Sequence, residues 1–495
     1  MNTRSNVIKR LEKLKNKAGE LLNRTLDQHI SLAVTGLSRS GKTAFITSLV
    51  NQLINEGNGS KLSFFDPVHH GNFIAAKRVA QKNLSIARFD YDKAIASLTN
   101  EVPSWPEPTH GISELRLAIR YQPKNSLLKY AADMATLTLD ITDYPGEWLL
   151  DLPMLKQTYE QWSEQTQELL TAAPRNKYAQ TFLAKVASID PFASADEDLL
   201  AKLSQEYTEL LHTFRYKLGL SVIQPGRFIL PGELSGAPIL EFFPFPNLTE
   251  LDGNDYQNAS DDSIIGMLRA RFLEYKEQVV KKFYRQHFLR FDRQIVLVDC
   301  LTPLNSCSEH SGPESFADLQ LAIEMILASY SYGKSGLFTR LFSPKIDKLL
   351  FAATKADHVT SEQHAPMVSL LNQLIYQSKQ NLNFEAIEMK TLAIAAVKST
   401  NSGKSFHKGR QVSVIQGYAV KSTVKSTLAN EKGAAEKITL FPGSVPEKLP
   451  DSEFWQQCAF NFINFSPLCG MTKQQSLPHV RMDQVLQFLL ADKMT

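Results

Sequence analysis

Lys42 and Thr43 close the run Gly36-Leu-Ser-Arg-Ser-Gly-Lys-Thr43, whose residue types and spacing suit a phosphate chain. Glycines 36 and 41 let the backbone curl so that successive amide N–H groups point inward, and a helix starting there adds the positive end of its dipole. Ser38, Arg39, Ser40, Gly41 and Ala44 complete the loop, Lys42 reaches toward the β and γ phosphates, and the Thr43 hydroxyl is a ligand for Mg²⁺.

Two aspartates downstream have uses beside such a loop. Asp143 opens Asp143-Tyr-Pro-Gly146 after an apolar run; at a strand end its carboxylate holds a magnesium-bound water while the Gly146 amide senses the γ phosphate. Asp357 ends Thr354-Lys355-Ala356-Asp357. A carboxylate there accepts from guanine N1–H and its exocyclic amine, which adenine does not offer, and the Lys355 stem packs on the base plane. The backbone of Ala395, Ala396 and Val397 then falls near guanine O6. Thr109 is a hydroxyl late in the stretch Pro103–Gly111, where Pro103, Pro106 and Pro108 exclude regular structure. Two readings of Thr109 stay open: a group that reaches magnesium and the γ phosphate, or a residue that starts the next strand.

Each motif needs an element to position it. Ile30 to Val34 reads as a strand and Ala44 to Val50 as a helix, on either side of the phosphate loop. Ile74 to Leu98 reads as a helix, Ile112 to Tyr121 as an edge strand, and Met134 to Asp143 as a strand antiparallel to it. Gln294 to Cys300, Asp347 to Thr354 and Met389 to Val397 are apolar runs of the kind buried on both faces of a parallel sheet. Between residues 151 and 291 helical spacing dominates, interrupted by Ser221 to Leu251, an irregular Pro, Gly and Phe stretch that either packs on a core or docks a partner. Beyond Lys398, Ser399 to Gly409 and Lys421 to Lys437 read as exposed loops, and Arg481 to Lys493 as a final helix. The expected architecture is α/β: a mixed, mostly parallel sheet formed by 29–150 and 292–495, with 151–291 inserted as a mainly helical subdomain.

Composition narrows the function classes. With 495 residues, 43% hydrophobic and 21% charged, the chain reads as a soluble globular protein, and its formal charge of +3 gives no ground for a nucleic-acid partner. Cys300, Cys307, Cys458 and Cys469 have no metal or disulfide spacing, which fits a reducing compartment; no metal is assigned to Cys300, Cys307 and His310. Residues 1–28 place Ile8, Leu11, Leu14, Ala18, Leu22 and Leu26 on one stripe of a basic amphipathic helix. Packing on the protein body and contact with a membrane surface or partner both remain open for it.

Motif order carries more weight than any one motif. GLSRSGKT, DYPG, TKAD and IAAV follow the order of the G1, G3, G4 and G5 elements of P-loop GTPases, implying a P-loop NTPase fold with a Ras-like G domain. Over most of its length the chain resembles the YcjX-like family of bacterial stress-associated P-loop proteins, on GLSRSGKT, WPEPT with ISELRLAIRY, LDITDYPGEWLLDLP and TKADHV. The resemblance implies a GTP- and GDP-binding protein using Mg²⁺, cytoplasmic or peripheral to the inner membrane, with stress-response partners and an undefined oligomeric state. Lys42, Thr109, Gly146 and Glu147 are its expected catalytic residues, and Thr43, Thr109 and Asp143 its metal ligands. Two departures matter. Thr354 stands where Asn is most frequent, which softens base selectivity, and Glu147 stands where many small GTPases carry a water-positioning Gln. A carboxylate cannot donate to phosphoryl oxygens and repels them, so turnover is expected to be slow. An ATPase and a nucleotide-stabilised scaffold are the alternatives.

Overall fold

The computed structural model describes residues 28–494 apart from 38, 58–60, 110, 124–133, 306–311, 331–345, 384–386, 408, 421–436, 458–459 and 461–462. The expected helix over 1–28, and Ser38, Cys307, His310 and Cys458, therefore lie outside the described residues, Gln28 excepted.

In chain order the elements are β1 (Gln28–Gly36), α1 (Lys42–Ile54), β2 (Phe73–Val79), β3 (Ala87–Arg88), α2 (Tyr91–Thr99), β4 (Ser113–Tyr121) and β5 (Ala135–Asp143). A helical stretch follows with α3 (Tyr159–Thr171), α4 (Asn176–Ala187), α5 (Glu197–His212) and α6 (Ile264–Glu274). Then come β6 (Arg293–Val298), α7 (Pro313–Ser329), β7 (Lys348–Ala353), α8 (His364–Asn383) and β8 (Glu388–Ala393). The chain ends in β9 (Thr400–His407), β10 (Arg410–Tyr418), β11 (Lys437–Leu440) and α9 (Met482–Leu490).

The main sheet has eight strands, in the order β2-β4-β5-β1-β6-β7-β8 with β3 added beside β4. β5, β1, β6, β7 and β8 run parallel, whereas β4 is antiparallel to β5 and β2 to β4. The sheet is thus mixed and mostly parallel, as expected. Alternation sorts the buried strands onto two faces. Ile295 and Leu297 of β6 and Leu350 and Ala352 of β7 meet α1 and α9, while Val296, Val298, Leu349 and Phe351 point the other way.

That second face carries the helical stretch. Trp162, Tyr207, Phe242 and Phe272 belong to the same buried cluster as Val296 and Phe351, so the 151–291 stretch and the sheet share one apolar core. Trp162 is wholly buried, with ring centroids of Phe242 and Phe272 at 5.3 and 5.4 Å. The aromatic-proline stretch packs on this core: Phe242, Phe243 and Phe245 are all buried, which removes them from any docking surface.

Three expectations need correction. Residues 74–98 are not one helix; Phe73–Val79 is strand β2, and only Tyr91–Thr99 is helical. Ala, Lys and Arg favour helix, but backbone pairing with β4 overrides that preference. The same pairing makes β4 an interior strand rather than an edge. The stretch from Thr400 to His407, expected as a loop, is strand β9, held by antiparallel pairing with β10.

Asp151 ties the start of the helical stretch to its interior. Its two oxygens accept from the Gly226 amide at 2.9 and 3.1 Å, and one also accepts from the Tyr275 hydroxyl at 2.6 Å. Burial pushes its carboxyl up to about 7, against those hydrogen bonds, which favour the charge. Unfolded, the group titrates near 4 (~3.9), so between roughly pH 4 and 7 the folded chain keeps a proton that the unfolded chain releases. Its contribution to stability is therefore full below about pH 4 and declines as pH rises to about 7. His287 and His479, pushed down to about 4 by burial, act in the opposite sense below about pH 6.5. Comparison with Asp151→Asn at each pH isolates the carboxyl. In urea unfolding from about pH 5 to 8, wild-type stability relative to that variant should fall up to about pH 7 and then level; a constant difference would exclude the assignment.

Candidate functional site

The parallel register of β1 with β5 places Val34 opposite Asp143, so the two loops leave the sheet side by side. After β1 the chain turns through Arg39 and Gly41, with φ of 64° and 81°, into α1. Positive φ suits Gly41, which has no Cβ to clash, and costs Arg39 something. No side chain caps α1 and no acidic residue occupies its first turn, which leaves N–H groups and a positive dipole end for an anion. Lys42 Nζ donates to the Gly36 carbonyl at 3.2 Å, folding the ammonium back over the loop.

The hydroxyls of Thr43 and Thr109 stand 3.3 Å apart, so the Pro-rich stretch does fold over the phosphate loop. Asp143 is nearby and 1% exposed, yet neither carboxylate oxygen takes an aligned hydrogen bond among the described residues. Burial pushes its carboxyl up, opposed by the Lys42 charge and the Thr109 hydroxyl. An orphaned buried carboxylate beside two hydroxyls is a donor set of hard oxygens, which fits Mg²⁺ completed by phosphate and water. Among the described residues no group of three or more His, Cys, Asp or Glu could hold a metal by protein ligands alone.

Gly146 has no room for a side chain: a Cβ there would lie 2.6 Å from the Gly36 carbonyl oxygen. Glu147, next along, is 2% exposed and ion-paired with Arg215, Nη2 to Oε1 2.8 Å. Arg215 lies in the turn Thr213–Lys217 that extends α5, and sequence reasoning gave no hint of it.

A cavity of about 530 Å³ joins these groups to the second motif; it is lined by Arg39, Ser40, Gly41, Lys42, Thr43, Ala44 and Thr109 at one end and Lys355, Asp357, Ala396 and Val397 at the other. Asp143, Gly146 and Glu147 stand behind the lining rather than in it. Trp105, His358 and Phe465 add aromatic wall at the second end, and Arg215 joins the first.

Asp357 is held by neighbours. Its Oδ2 accepts from the Ser399 amide at 2.6 Å and the Ser399 hydroxyl at 2.8 Å, and Oδ1 stands 3.1 Å from His358 Nδ1. Although burial opposes ionisation, the His358 and Ser399 contacts hold its carboxyl below the usual carboxylate range. Ser399 was missed from sequence; the available signal was a hydroxyl two residues after the Ala395–Val397 loop. The Lys355 ammonium meets Asp299 Oδ2 at 2.6 Å, which fixes its stem at the cavity wall. Thr354 uses its amide on the Val298 carbonyl at 2.9 Å. The Ala395–Val397 loop is clamped from two sides: the Ser48 hydroxyl donates to the Ala396 carbonyl at 2.5 Å, and Ala395 and Val480 exchange backbone bonds.

Known proteins bear on this arrangement. Residues 30–494 match the model of the YcjX-like family, DUF463. A protein of Escherichia coli K12 named Ras-like GTPase YcjX is 47% identical over 98% of this chain and 100% of its own length. One of the same name from Shewanella oneidensis MR-1 is 42% identical over 98% of both chains. A family match of that extent, on a sheet of this topology, makes the chain a member of the YcjX-like family with an α/β P-loop GTPase fold.

Proposed function

We propose that the protein is a guanine-nucleotide switch that binds GTP and GDP with Mg²⁺ and slowly hydrolyses GTP to GDP and phosphate. One observation carries the reading: Lys42, Thr43 and Thr109 line one end of a cavity whose other end is lined by Asp357, its carboxylate oriented by the Ser399 amide and hydroxyl. The relatives' name, Ras-like GTPase, supports the same reading.

Roles follow from position. The loop amides, Ser40 and Lys42 bind the phosphates, with Ser38 and Arg39 flanking them. Thr43 and Thr109 would hold Mg²⁺, with Asp143 on a water beside it, and such an ion would supply positive charge beside the β and γ phosphates. Asp357 reads the guanine edge, Lys355 packs on the base, and Ala396 and Val397 approach O6. Thr109 and Gly146 order around GTP and relax after hydrolysis, which transmits the state to the 151–291 subdomain. Glu147 cannot donate to phosphoryl oxygens, which keeps turnover slow, on the order of 10⁻⁴ to 10⁻² s⁻¹. We place the switch in a bacterial stress response, in the cytoplasm. Among the described residues no helix is long and apolar enough to cross a membrane.

Fluorescent GDP and ADP titrations with Mg²⁺ test the base assignment: GDP should bind tighter by about 10²-fold or more, and tighter ADP binding refutes it. Lys42→Ala should lose nucleotide binding altogether; retained GTP affinity would remove the loop from the site. Ser399→Ala deletes one hydrogen bond to Asp357 and should lower the GDP-to-ADP affinity ratio about fivefold, roughly the worth of about 1 kcal/mol.

A further inference from the structure

Arg215 is an arginine brought to the phosphate end of the cavity by a distant part of the chain. It is 9% exposed, lines the cavity with Lys42 and Thr43, and ion-pairs with Glu147, the residue after Gly146. Its place is fixed by backbone. The phosphate-loop residue Arg39 donates to the Tyr216 carbonyl at 3.2 Å, tying the Arg215 turn to the loop. From the other side, a Cβ on Gly226 would lie 2.4 Å from the Glu147 carbonyl oxygen, so the helical stretch presses directly on the backbone of Glu147.

Other buried arginines of this stretch lie outside the cavity lining. Arg175 binds Asp318 and the Val222 carbonyl at 2.5 and 2.9 Å, and Arg227 lies 3.4 Å over the Trp148 ring. Arg215 lines the cavity with its guanidinium 2.8 Å from Glu147 Oε1, and neither Glu147 oxygen takes an aligned hydrogen bond among the described residues. A phosphate offers a guanidinium what this carboxylate does not, two aligned acceptors on a more highly charged group.

We propose that Arg215 is a catalytic arginine supplied in cis by the 151–291 stretch, held on Glu147 in the resting site and passed to the γ phosphate of bound GTP. The inference rests on the GTPase reading above. In the step it serves, a water oxygen bonds to the γ phosphorus and the bond from that phosphorus to the β–γ bridging oxygen breaks. The electron pair stays on GDP, and a water proton ends on inorganic phosphate. Arg215 donates to the oxygens on which charge gathers, and Glu147 restrains it until then.

Removing Arg215 alone would also strand the buried Glu147 charge, so the test compares Glu147→Gln with Glu147→Gln/Arg215→Ala. Single-turnover phosphate release from GTP·Mg²⁺ should be faster than wild type in Glu147→Gln and about 10²-fold or more slower in the double variant than in Glu147→Gln. GDP affinity should agree within about threefold between the two. GDP with aluminium fluoride should be trapped by Glu147→Gln and not by the double variant, a difference that a purely structural arginine would not produce. Glu147→Gln/Arg215→Lys should recover part of the rate, since it restores a point charge without the fork. Equal rates in Glu147→Gln and the double variant overturn the role of Arg215 and leave the GTPase reading standing, as does loss of GDP binding in the double variant. No phosphate release from either wild type or Glu147→Gln overturns both.

Discussion

Between Gly36 and Gly146 the backbones of the two phosphate-facing loops touch. A methyl group on Gly146 would sit 2.6 Å from one carbonyl oxygen and 3.1 Å from the Leu37 amide nitrogen, and one on Gly36 would meet Leu297 at 2.8 Å. With no room for even a methyl group, the two loops are closely packed on each other. Their origin lies in the register of β1 against β5, since Val34 pairs with Asp143 and each chain then has a few residues in which to turn. A one-residue slip would carry Asp143 to the opposite face of the sheet and take its carboxylate away from Thr43 and Thr109.

The helical stretch extends the same constraint outward. Gly226 abuts Glu147, Asp151 binds the Gly226 amide, and the aromatic cluster around Trp162 shares a core with β6 and β7. Gly146 and the helices α5 and α6 are thus joined through packed backbone and buried rings.

Where structure is local, the sequence was readable. The strand, turn and helix around GLSRSGKT and the strands that end at DYPG and TKAD stand where their spacing put them, in a mostly parallel sheet. Helical spacing between 151 and 291 was equally plain. What escaped depended on distant pairing. Phe73–Val79 carries helix-favouring Ala, Lys and Arg and becomes a strand because β4 offers it a partner; β9 has no apolar alternation and exists through β10. Ser399 stood close to an expected loop but needed Asp357 beside it to mean anything. Arg215 had no local signature at all, because its partner lies 68 positions earlier and only the packing of α5 on the switch region brings them together.

The two ends of the cavity solve opposite electrostatic problems. At the phosphate end buried groups lack aligned partners among the described residues: the Ser40 hydroxyl and both oxygens of Asp143. Desolvated polar groups left this way cost stability, and the cost is recovered only when ions and phosphates arrive. At the base end the polar groups are already bonded, Asp357 to Ser399 and His358, Lys355 to Asp299. A neutral base offers little charge to offset an unsatisfied site, so its recognition depends on acceptors fixed in direction beforehand, whereas a highly charged phosphate chain can itself supply what its end of the site lacks. Binding should accordingly order the phosphate end more than the base end, and Gly36 to Thr43, joined to both, is where that difference is felt.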